Sequence, residues 1–352
     1  MISRELVIPG VVEPSGIQIR ERAVRTPRQG EVVVAMEATG LSYAEVQMLR
    51  GRYPGQPAFP FVPGYDLVGR VVALGEGVDA TLAGRRVATL TGVGAWAEHV
   101  VVRAEQLLVV SEELDAAEID SLIVNGTTAY KMLHRVARVQ PGQTIVVLGA
   151  GGGVGTLLVQ LARLHGVHVI GTCKPGQRAV VEALGAQVVD YTQGQTLEDV
   201  RALAPNGVDA VFDHVGGENL QSSYEMLRPG GFLVNYGNTS ALKSEAPAWR
   251  AFLAFFGRKA LWSFRPGGRR MTFFDLWGRG SFGADHMFRP RRFWREFRED
   301  LASLVELLRT KKLKPQVARR IPLLRAAEAI EEHRRGALIG KIVLEGAMTS
   351  AH

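Results

Sequence analysis

The feature that most constrains this chain is Thr144-Ile145-Val146-Val147-Leu148, which runs into Gly149-Ala150-Gly151-Gly152-Gly153-Val154-Gly155 and then Thr156-Leu157-Leu158-Val159-Gln160-Leu161-Ala162. β-favouring residues give way to clustered glycines, and these to apolar residues at helical spacing, so the stretch reads strand, tight turn, helix. Glycine allows the sharp turn and lets backbone N–H groups approach an anion with no Cβ in the way, and a helix N-terminus favours a phosphate. The stretch therefore reads as half of a dinucleotide site, with Gly152, Gly153, Val154 and Gly155 on the pyrophosphate. In the G-x-G-x-x-G frame the two later glycines are Gly152 and Gly155; Ala150 holds the first place, and Gly149 stands one residue early.

The next strand, Val167–Gly171, continues Thr172-Cys173-Lys174. A site for NAD would place a carboxylate near here for the ribose 2′-hydroxyl. None is present, and Thr172, Lys174, Arg178 and Tyr191 suit a 2′-phosphate instead, so NADPH is the expected cofactor. The competing reading is that Lys174 and Arg178 only solvate a helix start.

Strand and helix patterns alternate from about 126 to 278. Strands are expected at 144–149, 167–171, 186–190, 208–213 and 231–236, with helical stretches such as Gln177–Leu184 and Asn219–Leu227 between them. This order implies an α/β, doubly wound parallel sheet of Rossmann type with right-handed crossovers. Ligands bind such sheets at the carboxyl ends of the strands, which adds Val215, Tyr236, Gly237 and Asn238 to the expected cofactor contacts. His214 beside them reads as a strand-end polar group before a general acid.

Residues 1–125 read differently, as short strands and loops with Pro54, Pro57, Pro60 and Pro63 between them. Arg291–Lys314 carries a helical apolar stripe, Pro322–Ile330 a helix start, and Gly340–Leu344 a closing strand. Cys173 is the single cysteine, so there is no internal disulfide and no multi-cysteine zinc lobe. No apolar run is long enough to span a membrane, and no leader precedes the first strand, so a cytoplasmic protein is expected.

The net charge of +7 is not a nucleic-acid signal, because it is local. Between Trp249 and Phe297 there are eleven Arg or Lys against three acids, together with four of the five Trp and ten of the fourteen Phe. The remainder is near neutral.

Gly40-Leu41-Ser42-Tyr43-Ala44-Glu45, Pro63-Gly64-Tyr65-Asp66-Leu67-Val68-Gly69, Thr127-Thr128-Ala129-Tyr130, Gly151–Gly155, Leu184-Gly185-Ala186 and Gly340-Lys341-Ile342-Val343-Leu344 occur in this order along nearly the whole chain. The combination resembles the medium-chain dehydrogenase/reductase superfamily, and within it the zinc-free quinone oxidoreductases. The resemblance implies a GroES-like catalytic domain built from 1–125 and 290–352 around a Rossmann NADPH-binding domain at 126–289, usually in a homodimer. Zinc-dependent relatives carry Cys and His where this chain has Ser42, Tyr65 and Asp66, a set that cannot supply thiolate and imidazole ligands, so no metal is expected.

Without a Lewis acid, hydride donation to a conjugated acceptor is the chemistry that remains: the charge pushed onto an enone or quinone oxygen needs only hydrogen-bond donors and a later proton. By motif position the resemblance puts Ser42, Glu45 and Tyr53 at the substrate cleft and Thr128 at the nicotinamide. Helix capping is the alternative for Thr128, and loop packing the alternative for Tyr53. An extra stretch at about 241–268 separates this chain from minimal quinone reductases, and a similar extension occurs in the VAT-1-like branch. It is read as a lid over an apolar substrate, a peripheral membrane contact, a subunit contact or added core, ahead of an edge strand at 271–276. The expected activity is an NADPH-dependent reductase of enones, enals or quinones; the alternative is an NADPH-binding sensor or a membrane- or partner-associated binding protein.

Overall fold

The computed structural model describes residues 1–53, 55–239, 248–278, 290–336 and 338–346. Pro54, Ser240, the 241–247 part of the insertion and the 279–289 part of the basic, aromatic window lie outside the described residues, as do the side chains of 248–252. The chain forms two compact units, Met1–Asn125 with Trp294–His352, and Gly126–Phe293.

In the first unit, β1 (Ile2–Val7) and β2 (Gln18–Ala23) make an antiparallel pair, and β3 (Glu31–Leu41) is the long central strand of a larger sheet. Helix α1 (Tyr43–Leu49) follows β3 directly, then come β4 (Asp66–Leu74), β5 (Arg86–Leu90), β6 (His99–Arg103), β7 (Leu108–Val109) and α2 (Ala116–Ser121). β3 is antiparallel to β4 and β6, and its alternation of apolar residues places Val32, Val34, Met36 and Ala38 in the core.

The second unit opens in the short helix α3 (Thr127–Tyr130), set between π-helical turns at Leu122–Gly126 and Lys131–Ala137. β8 (Thr144–Val147), α4 (Gly153–Leu164), β9 (His168–Cys173), α5 (Arg178–Ala183), β10 (Gln187–Asp190), α6 (Thr196–Leu203), β11 (Val208–Asp213), α7 (Asn219–Glu225), β12 (Leu227–Asn235), α8 (Ala248–Ser263) and β13 (Arg270–Phe273) follow. The six strands are parallel in the order β10-β9-β8-β11-β12-β13, a doubly wound Rossmann sheet whose order reverses between β8 and β11.

The first unit is completed by the helix Pro290–Arg309, most of which lies in it, then β14 (Val317–Pro322), the helix Ala326–Arg335 and β15 (Lys341–Glu345). β15 inserts between β14 and β3, so the sheet order is β14-β15-β3-β4-β5-β7 with β6 on β3.

Three elements differ from the pattern-based expectation, each for a local reason. The edge strand ends at Phe273 rather than 276, because the Asp275 carboxylate accepts the Trp277 N–H at 3.2 Å and its carbonyl accepts the Gly278 N–H, which closes a turn. β12 begins at Leu227, earlier than the apolar run suggests, and runs through Arg228-Pro229-Gly230. Residues 1–125 hold helices at Tyr43–Leu49 and Ala116–Ser121 besides strands; both begin at a capping side chain, Ser42 and Asp115.

The aromatic window is partly core. Phe255, Trp262, Met271, Trp277 and Phe293 are buried within the second unit, whereas Leu253, Phe256, Leu261 and Phe264 are exposed.

Candidate functional site

In the second unit the turn after β8 is laced to β9. Thr172 is buried; its hydroxyl accepts the Gly149 N–H at 3.1 Å and its carbonyl the Ala150 N–H at 2.8 Å. Gly149 carries the left-handed conformation (φ 65°), so the tight turn belongs to Gly149, and Ala150 tucks its buried methyl against Gly171. A Cβ on Gly155 would overlap the Gly149 carbonyl oxygen and lie 2.8 Å from Ala150 Cα, so α4 can approach the turn only with glycine there. Gly152 is different: a Cβ would meet only the Gly149 oxygen at 3.3 Å, and its far side is open. No side chain caps α4 at Gly152, which leaves the N–H groups of Gly153, Val154 and Gly155 facing that open side.

This cradle fits a dinucleotide pyrophosphate. Gln177, which motif reasoning passed over, leans its amide over Gly151, and its Oε1 accepts the Lys174 N–H. Arg178 and Tyr191 both lie near Cys173, whose thiol is raised by burial and held back by the Arg178 charge; the Tyr191 hydroxyl is also raised by burial. Arg178 is half exposed and pairs with Glu182 at 2.8 Å. Thus Thr172, Lys174, Arg178 and Tyr191 gather at the carboxyl ends of β9 and β10; β9 ends without a carboxylate, and Asp190, which ends β10, stands opposite Cys173.

The loops after β11 and β12 are organised by Asp213 and Asn235. Buried Asp213 accepts the Val215 and Gly216 N–H groups at 2.7 and 2.9 Å through one oxygen and the Ser223 hydroxyl at 2.8 Å through the other. Asn235 Nδ2 donates to the Asp213 and Gly237 carbonyls, both at 2.9 Å, and the Tyr236 N–H reaches Asp213 O. Val215, Tyr236, Gly237 and Asn238 are thereby brought together. A Cβ on Gly149 would run into the His214 ring, so His214 packs over the glycine turn, its basicity lowered by burial. Burial likewise raises the Tyr236 hydroxyl. Thr128 is buried in mid-helix with Gly126 before it in helical conformation, so it is no cap, and α3 packs on α4.

In the first unit Ser42 caps α1. Its Oγ accepts the Ala44 N–H at 3.1 Å and lies 2.5 Å from Glu45 Oε2, which also accepts the Ser42 N–H at 2.8 Å. Glu45 is buried, and its Oε1 has no hydrogen-bond partner among the described residues. Burial pushes its carboxyl up to about 7, with the neighbouring Asp66 charge adding to the rise. Tyr53 and Tyr65 share a 2.5 Å hydroxyl–hydroxyl bond with rings edge to face.

Asp66 is spent on structure: one oxygen accepts the Gly40 N–H at 2.6 Å, the other pairs with Lys341 at 2.5 Å. Lys341 also meets Asp120 at 2.9 Å, and all three are buried. Burial and the Asp66 charge push Asp120 well up, whereas for Lys341 the charges of Asp120 and Asp66 outweigh burial and hold the ammonium. This triad went unread in the sequence, although a lysine inside the apolar strand 340–344 was its signal. Among the described residues no group of three His, Cys, Asp or Glu is placed to hold a metal. Ser42, Tyr65 and Asp66 also lack the donor set for zinc, so zinc does not fit there.

A glycine-turn Rossmann unit and a strand-rich unit in one chain make up the architecture of a nucleotide-dependent dehydrogenase or reductase. Family models agree: residues 28–112 match the alcohol dehydrogenase GroES-like domain, and residues 184–344 match a zinc-binding dehydrogenase. A probable quinone oxidoreductase of Schizosaccharomyces pombe is 32% identical over 75% of this chain and 79% of its own length. The human synaptic vesicle membrane protein VAT-1 homolog is 34% identical over 64% of this chain, and the match spans 58% of that relative. A mycobacterial structure, Rv1454c complexed with NADPH, superposes with a TM-score of 0.80 at 26% identity, covering 97% of this chain and 99% of that one. The chain belongs to the medium-chain dehydrogenase/reductase superfamily, in its quinone oxidoreductase branch, with a VAT-1-like relationship.

Proposed function

We propose that this protein is an NADPH-dependent reductase that transfers a hydride to an α,β-unsaturated carbonyl or a quinone without a metal, as a cytoplasmic homodimer. The observation that carries the reading is the open, uncapped α4 terminus at Gly152 together with Lys174, Arg178 and Tyr191 after β9 and β10, where β9 itself ends without an acid and Asp190 ends β10. Backbone N–H groups of Gly153, Val154 and Gly155 would hold the pyrophosphate, Thr172, Lys174, Arg178 and Tyr191 the 2′-phosphate end, and Val215, Tyr236, Gly237, Asn238 and Thr128 the nicotinamide end. When bound, the reduced nicotinamide supplies the hydride. The NADPH-bound mycobacterial relative supports the cofactor, and the donor chemistry of Ser42, Tyr65 and Asp66 supports the metal-free half. Tyr53 and Ser42 offer hydroxyls to the oxygen that gains charge.

NADPH oxidation against a panel of enones, enals and quinones, run beside NADH and with elemental analysis, tests this. Turnover with NADPH and no stoichiometric zinc is expected. Activity lost to chelation and restored by zinc refutes the metal-free half, and no turnover with any acceptor refutes the reductase.

A second reading has its own observation. Leu253, Leu261 and Phe264 of α8 and its end are 63, 65 and 87% exposed, among Arg258, Lys259 and Arg265 and with no acid nearby in sequence. That composition suits peripheral contact with an anionic membrane; among the described residues no helix is long and apolar enough to cross one. Co-sedimentation with phosphatidylserine vesicles tests it.

A further inference from the structure

Four arginines meet at the end of the Rossmann sheet that faces away from the glycine turn. β8, β11, β12 and β13 are parallel, so the turn after β8 marks their carboxyl ends, whereas Asp209, Arg228 and Arg270 lie at amino ends. There a cavity of about 320 Å³ opens between Arg135 and Arg138, on the π-helical turn Lys131–Ala137 and its end, and the strand residues Asp209, Arg228, Phe232 and Arg270. Every residue lining it belongs to the Gly126–Phe293 unit. We propose that this cavity is an anion site for a small compound carrying two phosphate groups, separate from the dinucleotide cradle and independent of the reductase reading.

The one acid in the lining is already committed. Asp209 accepts the Thr144 N–H at 2.9 Å through Oδ2, and its Oδ1 takes Nε and Nη2 of Arg228 at 2.6 and 2.5 Å. The cavity is left with an excess of three positive charges. Among the described residues Arg138 and Arg270 have no carboxylate within ion-pair reach. Elsewhere in the same unit arginines are matched by acids, Arg178 by Glu182 and Arg201 by Glu225, so the unmatched charge is a property of this cavity.

Two of the guanidiniums are held in ways that the fold alone does not require. Arg270 lies over the Phe232 ring, 4.7 Å from its centroid, and a guanidinium stacked on a ring keeps its N–H edges for a planar acceptor. Arg138 has a φ of 52°, the left-handed closing position of a helix that favours glycine. Glycine would make that turn more easily. The arginine there is accounted for by what its side chain meets in the cavity.

The walls also select the ligand. Guanidinium forks match phosphate oxygens in pairs, and 320 Å³ is at the small end of ligand clefts. A phosphate monoester carries about −1.5 to −2 at neutral pH, so one phosphate leaves part of the excess unanswered and two cover it.

Inorganic pyrophosphate is the probe, titrated calorimetrically into the intact chain at about 150 mM salt, where diffuse attraction is screened. One site is expected, filled equally with and without saturating NADPH. Displacement by NADPH would put the anion in the cradle and overturn the proposal; should NADPH not bind, weakening by Gly152→Ala says the same. Arg138→Gly removes a guanidinium and gives the left-handed position its favoured residue, so the urea midpoint should hold or rise. Pyrophosphate should then bind about 10-fold more weakly, the low end for a charge-assisted hydrogen bond, because the arginine is exposed. Arg270→Lys keeps the charge, loses the fork and should weaken binding about as much. A wild type that takes up no pyrophosphate at about 1 mM, or an Arg138→Gly protein that binds like wild type, overturns the site. Full affinity in Arg270→Lys shows diffuse positive charge instead, and overturns it as well.

Discussion

Gly152 and Gly155 are two residues of one motif, and the structure gives them different jobs that alanine can separate. At Gly155 the new methyl would lie 2.8 Å from Ala150 Cα and 3.0 Å from Ala150 C, besides overlapping the Gly149 oxygen. Carbon atoms pack comfortably at about 3.5 Å, so the deficit is at least about 0.5–0.7 Å, and every obstructing atom is backbone. Overpacking of this kind costs about 1–3 kcal/mol of stability. The shift also displaces the α4 N–H groups from the phosphate. Each charge-assisted hydrogen bond is worth about 1.5–3 kcal/mol, so losing two weakens NADPH by roughly 100-fold or more. At Gly152 the backbone has an ordinary negative φ of −79° and the methyl meets only one oxygen, at 3.3 Å. Gly152→Ala should therefore unfold within about 0.5 kcal/mol of wild type yet bind NADPH at least about 10-fold more weakly, because the methyl occupies the space meant for the phosphate. Urea unfolding and NADPH fluorescence titration on both variants decide the matter. A Gly152→Ala protein that binds NADPH like wild type refutes the placement of the pyrophosphate, whatever Gly155→Ala does.

Three further outcomes are expected. Arg178→Ala should weaken NADPH by about 1–3 kcal/mol, toward the lower end because the guanidinium is half exposed, and leave NADH nearly unchanged; equal losses in titration refute the 2′-phosphate assignment. Lys341→Met strands Asp66 beside Asp120 and should cost about 3–5 kcal/mol in urea unfolding, whereas adding Asp66→Asn should recover part of it; a loss under 1 kcal/mol shows the triad to be replaceable. Charged substitution of Phe273, on the edge strand β13, should turn a dimer into a monomer by light scattering, and a wild-type monomer would end that reading.

The Rossmann unit was legible because its information is local. A strand-glycine-helix sequence needs no distant partner to be recognised, and the sheet order follows from right-handed crossovers. Individual strand ends were less so: the turn that stops β13 depends on one side chain, Asp275, accepting the N–H of Trp277 two residues on. The capping box Ser42–Glu45 is visible as a spacing, but the burial of Glu45 is not, since it comes from strands far away in sequence. The same holds for Asp66, Asp120 and Lys341, three unremarkable letters until the sheet brings them within bonding distance. His214 shows the opposite case: a residue that invites a catalytic role turns out to pack over Gly149.

The closing strand has a consequence for how the polypeptide is made. β15 sits between β14 and β3, and its first residue, Lys341, supplies the only cation in the described structure paired to Asp66 and Asp120. While residues 1–125 have left the ribosome and 341–345 have not, that half-built sheet holds an open strand edge on β3 and two acids without their counter-ion. The Gly126–Phe293 unit has all six of its strands much sooner and can complete its own core. During synthesis, then, the inner unit should become protease-resistant first, and the nascent first unit is the stretch that needs shielding by a chaperone until the last strand arrives.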